Sequence, residues 1–85
     1  IVSIMFKELE ATLLGRGIRA NLSQNAINLI SQAGFDVVYG ARPLRRALYE
    51  LVEDKIADMI LKDEIASGDN ITIDAINDEI VINKG

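Results

Sequence analysis

The sequence predicts an α+β fold in which three helices pack on a three-stranded sheet, in the chain order α-β-α-α-β-β. Three segments carry apolar residues at every third or fourth position, which is the repeat of an amphipathic helix. In three shorter segments apolar and polar residues alternate, as they do in strands that bury one face. Because the chain has 85 residues, we expect residues 1–85 to form a single domain.

The first helix and the first strand follow from the start of the chain. The apolar stripe of the helix consists of Val2, Phe6, Leu9 and Leu13. Gly15 and Gly17 are expected to end this helix, since glycine is common just beyond a helical segment. Residues 18–22 then alternate between apolar and polar side chains, which predicts a short strand with one buried face.

The second and third helices have recognisable start signals. Ser23 is a candidate N-cap, because its hydroxyl can accept a hydrogen bond from an otherwise unpaired backbone N–H. We expect Gly34 to end the second helix in the left-handed conformation, and Pro43 to occupy the first position of the third. The third helix should end between residues 62 and 65. Apolar positions are Ala26, Ile27, Ile30 and Ala33 in the second helix, and Leu44, Leu48, Leu51, Val52, Ile56, Met59 and Ile60 in the third.

The last quarter of the chain predicts a β-hairpin. Residues 67–69, Ser-Gly-Asp, are a turn signal, and apolar and polar residues alternate over residues 70–76. Asn77 and Asp78 both tolerate positive φ, so they can form a tight turn. Residues 79–83 then form the third strand, paired with the second.

The composition excludes several kinds of functional site. The chain contains neither cysteine nor histidine, so it cannot form a disulfide, a Cys/His zinc site, or a Cys–His or Ser–His nucleophile pair. Its net charge of −4 disfavours sequence-independent binding of nucleic acid, which requires a basic surface. No apolar run approaches the roughly 20 residues of a membrane-spanning helix.

Two features bear on the origin of the chain. The lack of cysteine is compatible with a reducing compartment, and we expect a cytoplasmic protein. The first residue is Ile1 rather than methionine, which is consistent with a fragment of a longer protein.

The segment 34–48, GFDVVYGARPLRRAL, is the candidate functional site. Gly40 and Ala41 have little or no side chain, so a flat group or another backbone can approach them closely. Arg42 directly precedes Pro43 and is therefore expected at the positive end of the third helix. A helix N-terminus and a guanidinium group together suit a phosphate.

The other two arginines of this segment allow more than one interpretation. Arg45 and Arg46 lie in the first turn of the third helix, where cations oppose the helix dipole unless an anion or a partner carboxylate is nearby. Alternatively, the three arginines form a solvated face with Arg42 paired to Asp36, and on physical grounds alone this interpretation is favoured. Binding of nucleic acid is a weaker alternative, because the background is acidic and only Tyr39 is nearby for stacking.

An acidic group on the third helix is a second candidate site. Glu53, Asp54 and Asp58 are oxygen donors of the type that a metal ion prefers. A solvated helix face is the favoured interpretation, because Lys55 and Lys62 lie among them and neutralise their charge.

The central string resembles a known ATPase family. Phe35-Asp36, the string YGARPL and the Arg-Arg-Ala helix start are similar to the pattern GYDPxYGARPLRRAI, found at the C-terminus of the second AAA+ module of Clp/Hsp100 ATPases. The opening IVSIMFKELEATLLGRGI and the later strings SGDNITIDA and EIVIN are similar to the first helix and the last two strands of the same small domain. The resemblance covers nearly the whole chain. It is strongest to the ClpB disaggregase branch, with the ClpC and ClpA types as alternatives.

The resemblance implies a role for the candidate site. In this family the arginine of GAR is the sensor-2 residue, so Arg42 is expected to reach the phosphates of ATP, while Gly40 and Ala41 let the lid approach the nucleotide. ATP, together with Mg, would be bound mainly by the preceding large domain. Phe35 and Val37 stand where the family usually has Tyr and Pro, and neither departure touches GAR.

The resemblance also implies partners. The parent protein would be an ATPase that assembles as a homo-hexamer and remodels unfolded or aggregated proteins, without nucleic acid or a membrane. Because the chain lacks the phosphate-binding pattern G-x-x-x-x-G-K-[ST], we expect that it does not hydrolyse ATP alone. The alternative is a stand-alone interaction module with no nucleotide role, supported by the unpaired edges that a three-stranded sheet leaves.

Overall fold

A computed structural model describes residues 2–34 and 43–85 of the protein. Within these residues the predicted α+β architecture, three helices on a three-stranded sheet, is confirmed. The third helix consists of two α-helical parts joined by a π-helical turn at Tyr49–Glu53. The elements are α1 (Val2–Gly15), β1 (Arg19–Leu22), α2 (Gln24–Gly34), α3 (Leu44–Leu48), α4 (Asp54–Leu61), β2 (Asn70–Ile76) and β3 (Glu79–Lys84).

The sheet has the order β1-β2-β3, with β2 in the centre. β1 runs parallel to β2, and β3 runs antiparallel to β2. Asn77 and Asp78 join β2 to β3 with φ values of 52° and 61°. Positive φ at both turn residues is the conformation that suits the twist of a two-residue hairpin, so the predicted hairpin is confirmed.

One face of the sheet packs against the helices and forms an aliphatic core. Its strand residues are Ala20, Ile71, Ile73 and Ile80, and its helical residues are Val2, Phe6, Leu9, Leu13, Ala26, Ile30, Leu44, Leu48, Val52 and Ile56. Ile18 and Ile65, which lie in connecting segments, complete it. The predicted stripe of the first helix is therefore confirmed in full. Burial of this apolar surface is the main favourable contribution to folding.

Gly34 does not take the left-handed conformation predicted for it. It is the last residue of α2 and is buried, and its φ is not in the positive range. A methyl group at this position would lie 2.8 Å from the Cα of Leu44 and 3.0 Å from the Cβ of Ala47. The prediction was wrong because the glycine is required by a close contact between two helices, which a single segment does not reveal.

The π-helical turn lies within a run of evenly spaced apolar residues. Leu44, Leu48, Val52 and Ile56 are each four residues apart, and in an α-helix each such step turns the side chain by about 40° beyond a full turn. The backbone N–H of Asp54 bonds to the carbonyl of Tyr49, five residues earlier, which widens the helix at this point. The wider turn offsets the drift, and the four apolar side chains all reach the core.

The ends of the third helix are close to the predicted positions. Pro43 is the N-cap rather than the first helical residue, so the helix begins at Leu44, one residue later than predicted. The carbonyl of Pro43 accepts a hydrogen bond from the N–H of Ala47 at 2.9 Å. Beyond Leu61, Asp63 has a φ of 59°. The N–H of Asp63 bonds to the carbonyl of Ile60, and that of Glu64 to the carbonyl of Met59. This pattern is a Schellman C-terminus.

Candidate functional site

The described residues on either side of the predicted site are neighbours in the domain. Gly40, Ala41 and Arg42 themselves lie outside the described residues. The described residues on either side of that segment, at the end of α2 and the start of α3, are in direct contact. This contact depends on Gly34, since a methyl group there would lie 2.9 Å from the Cδ2 atom of Leu44. The described residues that flank the predicted site therefore meet at the junction of α2 and α3.

Arg45 connects the start of α3 to α1. Both terminal nitrogens of its guanidinium face the carboxylate of Glu8, Nη1 towards Oε2 and Nη2 towards Oε1, the latter at 3.4 Å. The two side chains are 52% and 57% exposed. Hydrogen bonding to Arg45 lowers the pKa of Glu8, and the same bond raises the pKa of Arg45. The sequence analysis expected an anion or a carboxylate near Arg45, and the structure shows that Glu8 of α1 supplies the carboxylate.

Arg46 has a partner within its own helix. Its Nε donates to the Oε1 of Glu50 at 2.8 Å, an i to i+4 pair, with both side chains exposed. This hydrogen bond raises the pKa of Arg46. Because Arg45 and Arg46 both contact carboxylates of the same chain, these two arginines do not form a uniformly positive surface. This weakens the interpretation as a nucleic-acid site.

The predicted N-cap at Ser23 is confirmed, and it belongs to a polar cluster. Its Oγ accepts a hydrogen bond from the N–H of Ala26 at 3.1 Å and donates one to Oδ1 of Asp74 at 2.6 Å. Hydrogen bonds from Ser23, and then from the backbone N–H of Ala75, lower the pKa of Asp74. The sequence analysis missed Asp74, since its nearness to Ser23 follows from the parallel pairing in which Leu22 lies opposite Ile73.

In the acidic group of the third helix, Asp54 and Asp58 are exposed and Glu53 is half-buried. Among residues 2–34 and 43–85, no three acidic side chains are arranged so that they could hold a metal ion. Asp58 pairs with Lys62 at 3.0 Å, an i to i+4 contact between two exposed side chains. The interpretation as a solvated helix face agrees with these contacts.

An apolar groove lies between α1 and α4. Its volume is about 420 Å³, and its lining includes Leu13, Ile56 and Ile60, with Arg16 and Glu53 also contributing. Leu61 borders the groove and is 84% exposed. Leu14 and Ile4 on α1 are exposed as well. These are surfaces through which a small domain can contact a larger neighbour.

Strands β1 and β3 form the two edges of the sheet, so their outward backbone groups have no partner strand within the described residues. A second groove follows the β1 edge towards α1, with Glu10, Leu14 and Asn21 among its lining residues. None of the described helices is long and apolar enough to cross a lipid bilayer.

Comparison with known proteins assigns this arrangement to a family. A family profile described as the C-terminal, D2-small domain of ClpB protein matches residues 1–73. The match includes α1, the segment with GAR, the third helix and the greater part of the sheet's central strand. It therefore covers every residue that the sequence analysis placed in the candidate site.

Individual relatives agree with this match. The chaperone protein ClpB of Helicobacter hepaticus is 58% identical over 80 residues, which are 94% of this chain and 9% of the relative. ClpB of Wolinella succinogenes is 48% identical over 81 residues, 95% of this chain and 10% of the relative. The chloroplastic ClpC3 of rice (Oryza sativa subsp. japonica) is 40% identical over 85 residues, 100% of this chain and 9% of the relative. The chain thus spans about a tenth of the length of these relatives.

Proposed function

Because the chain belongs to the family of C-terminal, D2-small domains of ClpB proteins, we propose that residues 1–85 are the lid of an ATP-binding module in a longer AAA+ chaperone. In this proposal Arg42 is the sensor-2 arginine. It contacts the phosphates of ATP held by the preceding large domain. The observation that carries the proposal is the family match across the GAR string, which stands directly before a helix start.

The geometry around the string supports this choice of arginine. Arg45 and Arg46, the other two arginines of the segment, each contact a carboxylate of the chain. Arg42 directly precedes Pro43, the N-cap of the third helix. The N-terminus of a helix carries partial positive charge and favours an anion nearby. A guanidinium group adds two parallel donors for phosphate oxygens.

The mechanism divides the work between two domains. This chain lacks a phosphate-binding loop, so ATP and Mg would be held mainly by the large domain, and the 85-residue chain alone would not hydrolyse ATP. Arg42 would bind the terminal phosphates, and Gly40 and Ala41 would allow the close approach that this contact needs. Hydrolysis would separate the terminal phosphate from ADP, and release of that phosphate would remove an anionic group that Arg42 contacts, so that the lid would change its tilt relative to the large domain.

We also propose an assembly role. The lid would contact neighbouring subunits of a homo-hexamer through the sheet edges and α1, where exposed Ile4 and Leu14 support such a contact. The substrates of the parent would be unfolded or aggregated proteins. A ClpC or ClpA type of parent is the nearest alternative, and the rice ClpC3 match keeps it open. The lack of cysteine supports a reducing compartment, for which we propose the cytoplasm.

The test of the sensor role is Arg42→Ala in the full-length protein that carries this domain. Loss of one charged contact to phosphate should lower the ATP-hydrolysis step, or the affinity for ATP, by about 10- to 150-fold. Arg42→Lys should retain only part of the wild-type hydrolysis or affinity, because lysine lacks the planar, two-pronged guanidinium group. The matched control is Arg46→Ala, which removes an arginine whose partner among the described residues, Glu50, lies on its own helix.

Circular dichroism of the same variants shows whether the domain stays folded. If Arg42→Ala leaves hydrolysis, affinity and nucleotide-dependent assembly at the wild-type level, the sensor role is refuted. The stand-alone interaction module then replaces it. The apolar groove beside Leu61 favours that alternative, and Leu61→Glu would be expected to disrupt its contacts without any dependence on nucleotide.

A further inference from the structure

We propose that the β1 edge of the sheet binds an extended segment of a separate protein by β-strand addition, and that apolar and acidic residues alternate along this segment. The apolar residues would face α1, and an acidic residue would face Arg19. The inference goes beyond the proposed nucleotide role and does not depend on it.

The outer side of β1 carries backbone groups that can pair with another strand. The N–H groups of Arg19 and Ser23 bond to carbonyls at the start of β2 and within it, at 3.0 and 2.9 Å. Backbone groups alternate in direction along a strand, so those of Ala20 and Leu22 point away from β2. Among the described residues β1 has no second partner strand. The edge therefore offers two N–H and two C=O groups to an added strand.

A trough borders this edge on the side of α1. Two depressions, with volumes of about 560 and 220 Å³, both include Ala20 and Asn21 of β1 and Glu10 of α1 in their lining. The larger one extends to Leu14 and the smaller one to Phe6. Because the depressions share three lining residues, they adjoin along β1. An added strand would thus place alternate side chains in this trough, which is how strand-binding edges gain specificity.

The edge formed by β3 is less suited to this role. Its outer backbone groups also have no partner strand within the described residues. However, no residue of β3 lines either depression of the trough. A strand added there would gain backbone hydrogen bonds but no groove for its side chains, so we assign the binding to β1.

The lining of the trough indicates which side chains of the segment face α1. Leu14 is 53% exposed, and Phe6 and Leu22 line the smaller depression. Covering such apolar surface is favourable. Glu10 lies in both depressions and would repel an acidic residue on this side. The residues of the segment that face α1 should therefore be apolar.

The opposite face of the edge carries a positive charge. Successive side chains of a strand point to opposite faces, so Arg19 lies on the other face from Ala20, which is buried in the core. Arg19 is exposed, and it takes part in none of the ion pairs found among residues 2–34 and 43–85. Opposite charges on neighbouring strands attract. An acidic residue on this face of the segment is therefore the complement of Arg19.

The length of the edge distinguishes a bound peptide segment from a permanent subunit contact. β1 has four residues, so it spans about 13 Å at about 3.3 Å per residue. A stable protein–protein interface uses about 20–30 residues on each side, and an added strand of this length is far smaller. On its own, the β1 edge therefore suits the transient binding of a segment from a separate protein.

The experiment titrates the ¹⁵N-labelled 85-residue chain with a synthetic peptide and follows the backbone amides by NMR. The probe is a capped heptapeptide in which valine alternates with aspartate, and a control peptide carries lysine in place of aspartate. The N–H groups of Ala20 and Leu22 should show the largest saturable shifts, because they gain hydrogen-bond acceptors. The lysine peptide should bind about 2- to 30-fold more weakly, since a repulsive cross-strand charge pair replaces an attractive one.

Three variants test the side-chain contacts, and circular dichroism shows whether each of them stays folded. Arg19→Gln should remove most of the difference in affinity between the two peptides. Leu14→Gln should weaken the binding of both peptides by about 3- to 10-fold, because part of the apolar contact is lost. Ile76→Gln is the matched control: Ile76 is 55% exposed but lines neither depression, so this change should leave the affinity unaltered.

Several results would overturn the proposal: shifts that do not saturate or are largest at β3, an Arg19→Gln variant that still distinguishes the two peptides fully, or equal losses for Leu14→Gln and Ile76→Gln. In the full-length protein, Leu14→Gln but not Ile76→Gln should lower the anisotropy of a fluorescein-labelled aspartate peptide. If this difference is absent and Leu14→Gln weakens assembly instead, a neighbouring subunit occupies the edge, and a separate protein is the wrong partner.

Discussion

Replacing Gly34 by alanine tests the close contact at the base of the candidate site. The added methyl group would lie 2.8 Å from the Cα of Leu44, 2.9 Å from its Cδ2 and 3.0 Å from the Cβ of Ala47. One of these atoms belongs to the backbone, so no side-chain rotation can relieve the whole contact. The start of α3 must therefore move away from the end of α2.

The magnitude is the difference between two opposing effects. Forcing an extra methyl group into a packed core destabilises by about 1–3 kcal/mol, and three contacts at 3.0 Å or less place Gly34→Ala near the upper value. Alanine stabilises a helix relative to glycine by about 1 kcal/mol, which acts in the opposite direction. We expect a net loss of roughly 2 kcal/mol in the free energy of unfolding. For a domain of this size the melting temperature should fall by roughly 4–8 °C for each kcal/mol.

Gly15 provides the matched control for this substitution. It is also the last residue of a helix, but a methyl group there meets no atom within 4 Å. Gly15→Ala should therefore raise the stability by a few tenths of a kcal/mol up to about 1 kcal/mol. The assay is thermal and urea unfolding of the 85-residue chain, followed by circular dichroism. If both variants are stabilised, or if Gly34→Ala melts at the wild-type temperature, the steric argument is refuted.

Two further predictions concern the polar cluster at the start of α2. Ser23→Ala removes the N-cap hydrogen bond from the N–H of Ala26. The free energy of unfolding, measured with urea, should therefore fall by about 1 kcal/mol. An unchanged urea midpoint would contradict the role of Ser23 as a cap. Asp74 has a folded-state pKa below its ordinary value of 3.8, so its contribution is fully present above that value and is lost as the pH falls through the lowered pKa. Asp74→Asn should therefore lower stability at neutral pH and approach the wild type in acid, and a constant difference across the pH range would exclude this cause.

Local pattern predicted most of the fold because the determining interactions lie within single segments. The stripe of α1 and the alternation of β2 depend only on neighbouring residues, and their spans agree with prediction to within a residue or two. The π-helical turn was not predicted, because the apolar residues around it are four apart and that spacing is also typical of an α-helix.

The contacts of the candidate site were less accessible, because each joins residues far apart in sequence. The first-turn position of Arg45 indicated that a carboxylate should be near, but the choice of Glu8 depends on how α3 packs against α1. The role of Gly34 depends likewise on the approach of α3. Asp74 meets Ser23 only because β1 pairs with β2 in parallel. Spacing along one segment contains none of this information.

Besides the buried Leu44 and Leu48, two interactions of different kinds contact the start of α3, and they should have separable effects. The contact at Gly34 is steric and buried, so its disruption changes packing and is expected to appear in the free energy of unfolding. The contact between Glu8 and Arg45 is exposed and directional, so its loss should leave stability nearly unchanged. An Arg45→Gln variant that melts like the wild type, beside a Gly34→Ala variant that melts several degrees lower, would therefore separate the exposed contact from the buried one at this junction.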